Sequence, residues 1–358
     1  MKTIFDKTDI KNLTAKNRAV RSATNERNFC SENGEMTKEL LEVYSDLILG
    51  GTGTIITSFA NVMKNDQPAP YMLGIYDDKF IPGYKPIIEL AQANNCKIIL
   101  QIVYGGSQTL YNLENRTILG PSSVENLYSK VTPKMATEEE LSEIVTAFGD
   151  AALRAKKAGF HGVQIHGAHG YFLSQFLNPY YNRRDDKYGG TIENRGRLIF
   201  EVYEEIRNRV GKDYFISIKI NCEDFMEKGA TLEDNLYLCK KLSEMGIDLI
   251  EVSGGSASSE PGKGVIRMMK SSDEESYFYN QGKKIAETVS APVALVGGHK
   301  NIERIEDILN SSKIEFISLS RPLVSEPDLI NRWIKDRSRA NCISCNRCFL
   351  NGKRCVLI

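Results

Sequence analysis

The chain lacks the features that would send it to or through a membrane. No apolar run approaches the ~18 residues a span needs, and Met1–Asp9 carries no apolar export segment. It therefore reads as cytoplasmic, with no membrane partner. Charge of one sign is missing too: Lys plus Arg is 46, Asp plus Glu is 46, and the net charge is zero. That balance excludes a general nucleic-acid binder but not a local anion site. Linker-like Pro, Ser or Gly tracts and low-complexity segments are absent. The 358 residues, 41% of them hydrophobic, suffice for a large core. That length fits two average domains or one α/β barrel.

Histidine is scarce, and cysteine is unevenly placed. Three of the four histidines, His161, His166 and His169, fall within nine residues. Four of the eight cysteines, Cys342, Cys345, Cys348 and Cys355, fall in the last 17 residues. In a reducing cytosol such clustering suggests metal or redox chemistry rather than a disulfide framework.

What is abundant is a repeat of short Val/Ile-rich runs and longer amphipathic stretches. Eight candidate strands are Arg18–Thr24, Thr54–Ser58, Lys97–Val103, Gly162–His166, Tyr214–Ile220, Asp248–Ser253, Val293–Val296 and Glu315–Leu319. They lack long polar alternation, as strands buried on both faces should. Helical stretches lie between them: Thr37–Leu49, Thr137–Lys157 with a Thr137/Glu140 capping box, Thr231–Met245, Asn301–Leu309 and Glu326–Lys335. Eight β-then-α units predict a (β/α)8 TIM barrel over residues 1–340, with a short Cys-rich tail over 341–358. A doubly wound sheet is the alternative.

A barrel places its chemistry at the C-terminal strand ends. Gly297-Gly298 and Ser320-Arg321 end strands seven and eight, where barrels often hold phosphate. Glycine lets backbone N–H groups approach an anion, and arginine adds a bidentate cation. Gln101 is an amide in an apolar strand, suited to the edge of a heterocycle or to a hydrogen bond within the barrel. Lys219, between Ile218 and Ile220, needs an anionic partner, either a ligand or a neighbouring carboxylate. His166 and His169 could bind a metal or donate together to one oxygen. Strands five to eight offer no Asp, Glu or His at their immediate ends, which favours the oxygen. Tyr171 then stands close by as a proton donor. His161 precedes the strand and reads as structural.

The segment HGAHGYFLSQFLNPYYNRRDDKYGGTIENRGRLIF, His166 to Phe200, resembles the signature of the old yellow enzyme family of FMN-dependent ene-reductases. The resemblance extends through LTAKNRAVRSAT, VGGHKNIERIEDIL and SLSRPLVSEPDLI, and so over residues 1–340. It implies non-covalent FMN at the top of the barrel, reduced by NAD(P)H. Ala23 and Thr24 would meet the flavin through backbone groups, with Asn25 near its reactive edge. Ala60 and Gln101 would contact the ring, Lys219 its N1/O2 side, and Gly298 and Arg321 the phosphate. His166 and His169 would hold the carbonyl oxygen of an enone or enoate, and Tyr171 would protonate the α-carbon. The family's usual Arg is Lys219 here, and Ser320 replaces a common Gly. Tyr104 stands where His is frequent, and Asn25 where Cys or Thr is. These departures bear on potential and substrate range.

The tail reads C-x2-C-x2-C-x6-C, a spacing compatible with Fe–S or zinc ligation. It resembles the 2,4-dienoyl-CoA reductase branch, where a [4Fe–4S] cluster relays electrons to FMN, although the intervals here are shorter. A cluster, zinc and an unligated tail all stay open. No GxGxxG fingerprint follows, so the expectation is direct reduction by NAD(P)H or a separate electron-donor protein. Homo-oligomerisation is compatible with either. The other readings are a quinone or nitro reductase, an amine demethylase, an electron-transfer protein built on the tail, and a metal-dependent barrel hydrolase.

Overall fold

Eight parallel strands close into a ring in the computed structural model, which describes residues 1–26, 29–349 and 355–357. We number them β1 (Ala19–Arg21), β2 (Thr54–Ile56), β3 (Lys97–Val103), β4 (Gly162–Gly167), β5 (Phe215–Asn221), β6 (Leu249–Ser253), β7 (Val293–Val296) and β8 (Ile314–Leu319). Each pairs with the next, and β8 returns to β1, with Ile317 opposite Ala19. This is the (β/α)8 barrel expected from the sequence. The strands are continuous apolar runs because one face meets the barrel interior and the other meets helices.

The longer helices are α1 (Lys38–Leu49), α2 (Ile81–Ala93), α3 (Glu138–Ala158), α4 (Ile192–Val210), α5 (Leu232–Met245), α6 (Tyr279–Thr288), α7 (Ile302–Ser311) and α8 (Leu329–Lys335). Side-chain caps set several of their starts. Thr37 accepts from Leu40 N, Asn301 accepts from Glu303 N, and both Thr137/Glu140 and Thr231/Asp234 form reciprocal capping boxes. Gly159 and Gly246 end α3 and α5 in the left-handed region. Helix α2 is poorly marked in sequence because Pro82 opens it and Pro86 lies inside it.

A hairpin of Thr8–Ile10 and Leu13–Ala15 covers the N-terminal end of the barrel. Its Ile10 and Leu13 pack with Val20, Ile56, Ile99, Phe215, Leu249 and Phe316 into a separate apolar cluster. Polar interior side chains are thereby left toward the opposite end. After α8 the chain runs back along that end. Trp333 Nε1 donates to Ser338 O at 3.0 Å, and Ala340 N donates to Lys300 O at 2.9 Å. No helix among the described residues is long and apolar enough to cross a membrane.

Candidate active site

The C-terminal strand ends surround a cavity of about 1050 Å³. Its walls come from every strand: Ser22–Asn25 after β1, Phe59 after β2, Gln101 on β3, His166 on β4, Lys219 on β5, Ser253 on β6, Gly298 after β7 and Ser320-Arg321 after β8. Ala23, Thr24, Asn25, Gln101, Lys219, Gly298, Ser320 and Arg321 therefore converge, together with His166, His169 and Tyr171. Ala60 and Gly297 do not line the cavity. Ala60 is fully buried and pairs with Ile102, and Phe59 presents its ring instead. The Gly297 carbonyl accepts from Tyr277 N at 3.1 Å.

The floor is a connected polar layer. Gln101 Nε2 donates to Gln164 Oε1 at 2.7 Å, and Gln164 Nε2 donates to Glu251 Oε2 at 2.9 Å. Lys219 Nζ lies 3.3 Å from the same Glu251 oxygen and donates to Ser22 Oγ at 2.8 Å. Both alternatives for Lys219 thus apply, since it has a carboxylate neighbour and also faces the cavity. Burial pulls its ammonium below the ordinary lysine range, and Glu251 opposes that pull.

At the β7–β8 corner, Arg321 is buried. Its Nη1 donates to Arg267 O at 2.8 Å and to Asn346 Oδ1 at 2.6 Å. Gly298 has φ +79°, and a Cβ there would lie 2.6 Å from Met269 Sδ and 2.7 Å from the Tyr277 ring. Only glycine fits that approach. Thr24 Oγ1 and Ser320 Oγ, 2.9 Å apart, tie the ends of β1 and β8 together.

The wall opposite is a ring cluster. The His166 ring lies 4.8 Å from Tyr171, 5.3 Å from His169 and 6.2 Å from Phe59, centroid to centroid. His166 Nδ1 is buried without a protein partner. His169 Nε2 sits 2.8 Å from Ser253 Oγ, and its backbone N–H donates to Asn221 Oδ1 at 3.2 Å. The φ of +64° at His169 is uncommon for a side chain other than glycine, and it follows from the tight turn after β4. Burial holds both imidazoles well below the ordinary range, with Lys219 adding repulsion, so both are neutral near pH 7. The remaining member of the cluster in sequence, His161, accepts from Ile98 N at 3.1 Å and is structural.

The donor set fits FMN. A buried cation and an amide line the floor, a glycine-lined corner carries a buried arginine, and an aromatic wall faces them across a cavity of drug-ligand size. The tail does not fit a metal in the same way. Cys342, Cys345, Cys348 and Cys355 do line one crevice beside Arg321, but its volume is about 10 Å³. That is no more than one water needs. Among the described residues no group of three or more His, Cys, Asp or Glu is placed to hold a metal ion. The tail-metal expectation, iron–sulfur or zinc, is not supported by the placement of the described residues.

Sequence reasoning missed Gln164, Glu251 and Ser253. The signal was available, because Gln164 lies two residues before His166 and Glu251 two before Ser253. In a strand, residues two apart share a face.

The model of the NADH:flavin oxidoreductase / NADH oxidase family matches residues 3–340. An NADH oxidase of Thermoanaerobacter brockii is 32% identical over 354 residues, covering 98% of this chain and 54% of that protein. A cinnamate reductase of Clostridium sporogenes is 30% identical over 370 residues, covering 96% and 55%. The chain thus spans about half the length of these two relatives. An old yellow enzyme homologue from Zymomonas mobilis superposes with a TM-score of 0.79 at 22% identity, covering 94% of each chain, a likeness of fold.

Proposed function

This chain belongs to the NADH:flavin oxidoreductase / NADH oxidase family, that of old yellow enzyme, and on that premise we propose that it is an FMN-dependent reductase of C=C bonds conjugated to a carbonyl, with NAD(P)H as reductant. The observation that carries the reading is His166 Nδ1, a buried nitrogen with no protein partner, beside Tyr171 and above a floor suited to flavin. The cinnamate reductase relative supports the substrate class.

When bound, FMN would supply hydride transfer at its N5. The chain's residues do the rest. Arg321 and the Gly298 backbone would hold the phosphate, and Gln101 and Lys219 would take the polar edge of the ring. Ala23, Thr24 and Ser320 would border the cofactor through backbone groups, with Asn25 near its reactive edge. A neutral imidazole has one N–H to give. His169 Nε2 pairs with Ser253 Oγ in a direction set by the imidazole tautomer. His166 and His169 would each donate that N–H to the substrate carbonyl oxygen and draw charge onto it. Tyr171 O–H protonates the α-carbon. Residues 1–340 would form the catalytic barrel, with 341–358 as its tail, and Asn346 of that tail meets Arg321 at the phosphate corner.

Tyr171→Phe tests the assignment. Stopped-flow kinetics should show flavin reduction by NAD(P)H unchanged and alkene reduction slower by about 10²- to 10⁴-fold, the scale of one general acid. Equal loss in both half-reactions would reject the role.

A further inference from the structure

Glu251 stands apart among the buried charges. It lies on β6, is fully buried and does not line the cavity. Its Oε2 nonetheless takes both Gln164 and Lys219, and through them reaches two residues that do face the cavity. The relay crosses four adjacent strands and ends on Ser22: Gln101 on β3, Gln164 on β4, Lys219 on β5, Glu251 on β6. Only its middle members are hidden from the cavity.

We propose that Glu251 is a positioning residue for the cofactor site, fixing the Lys219 ammonium and the Gln101 amide that face the flavin; this rests on the flavin reading above. A packing role alone accounts poorly for the geometry. A buried carboxylate is costly, and an apolar side chain would fill the barrel at least as stably. One of its oxygens, Oε1, has no partner at all. What it gains is control over its neighbours. Gln164, held by Glu251, occupies one N–H of Gln101 and sets which way that amide points. Lys219 has three N–H donors, of which Glu251 and Ser22 take two, leaving one for the cavity. The other charged or titratable groups acting on Lys219 are Arg21, on β1, and the two histidines of β4 and its turn. None of these is an anion. Arg21 is itself committed to Glu26 and to Ser320 O. Glu251 is the carboxylate that keeps Lys219 a cation in a desolvated place.

The test is the midpoint potential of bound FMN, measured by anaerobic spectroelectrochemistry, together with FMN affinity. A cation at the polar edge of the ring would favour the reduced, anionic cofactor. Glu251→Gln should let Lys219 lose its proton and shift the potential negative. The expected size is at least a tenfold loss of preference for reduced over oxidised FMN, ~30 mV for a two-electron couple. Lys219→Met should shift it in the same direction, and the double variant should add nothing further. An unchanged potential overturns the proposal, as does a positive shift, which simple removal of a negative charge would give. Additive shifts in the double variant overturn it too. Should Glu251→Gln not fold, Glu251→Asp draws the carboxylate back from both partners, and a wild-type potential in that variant is equally fatal. Failure of the unaltered protein to take up FMN would instead refute the flavin reading itself.

Discussion

Two clusters of soft, ligand-type side chains stand out in this chain, and the fold treats them differently. His166 and His169 leave the end of a central strand, and both strand neighbours of β4 fix where they lie. Asn221 and Ser253, from β5 and β6, then hold His169 directly. The four tail cysteines follow the last helix and hang on a few contacts to Lys300, Arg321 and Glu326. Both clusters have spacings compatible with metal. The histidines face a large cavity as neutral donors, whereas the thiols line a small crevice beside Arg321. Spacing reports on chemistry only where a rigid element turns it into geometry.

Loss of Arg321 should break the barrel side of this contrast hardest. Arg321→Met removes a buried cation from the phosphate corner, and titration by flavin fluorescence should show FMN affinity falling roughly 10- to 100-fold, the scale of hydrogen bonds to a charged group. Wild-type affinity would move the phosphate elsewhere.

Acid should come next. His166, His169 and His299 are all held neutral below the ordinary histidine range, His299 at about 4. Their depressed values mean that below about pH 6.5 the unfolded chain binds protons that the fold refuses. Stability should therefore be constant above that pH. It should fall as pH drops toward the folded values, by about 1.4 kcal/mol per pH unit for each histidine. Asp66, pushed up to about 6 by burial, acts in the opposite sense over roughly pH 4–6. Denaturant midpoints across this range check the sign, and an acid-stable fold would contradict the neutral imidazoles.

The tail side should give the smallest effects, and they should divide. Asn346→Ala removes an acceptor from Arg321 and should weaken FMN about 2- to 10-fold, the worth of one ordinary hydrogen bond. Cys345→Ser should change FMN affinity and turnover by less than about twofold, since it removes no packed contact of the floor. A large effect of Cys345→Ser with none of Asn346→Ala would reverse the ranking.

The barrel was legible because buried parallel strands announce themselves as apolar runs, and all eight expected runs overlap a barrel strand. The ends were less exact. The run Arg18–Thr24 is a strand only over Ala19–Arg21, because Ser22–Asn25 turn across the cavity. Strand-end residues such as Gln101, Lys219 and Arg321 could be named in advance, since a polar group in an apolar run needs a partner. Ala60, named through the resemblance, lies on a separate short strand after β2 and is not among the residues lining the cavity. Glu251 was overlooked although it too is a polar group in an apolar run, and which partners it meets depends on register between strands, which is not written in either one. The crevice between the cysteines depends on how the tail folds back, which no local pattern encodes.

The comparison reduces to what each cluster serves, and one measurement addresses both. Protein purified without oxygen should be assayed for FMN, iron and zinc per chain after incubation with FMN. The account predicts stoichiometric flavin and metal well below stoichiometric. Stoichiometric iron or zinc with no flavin would contradict it.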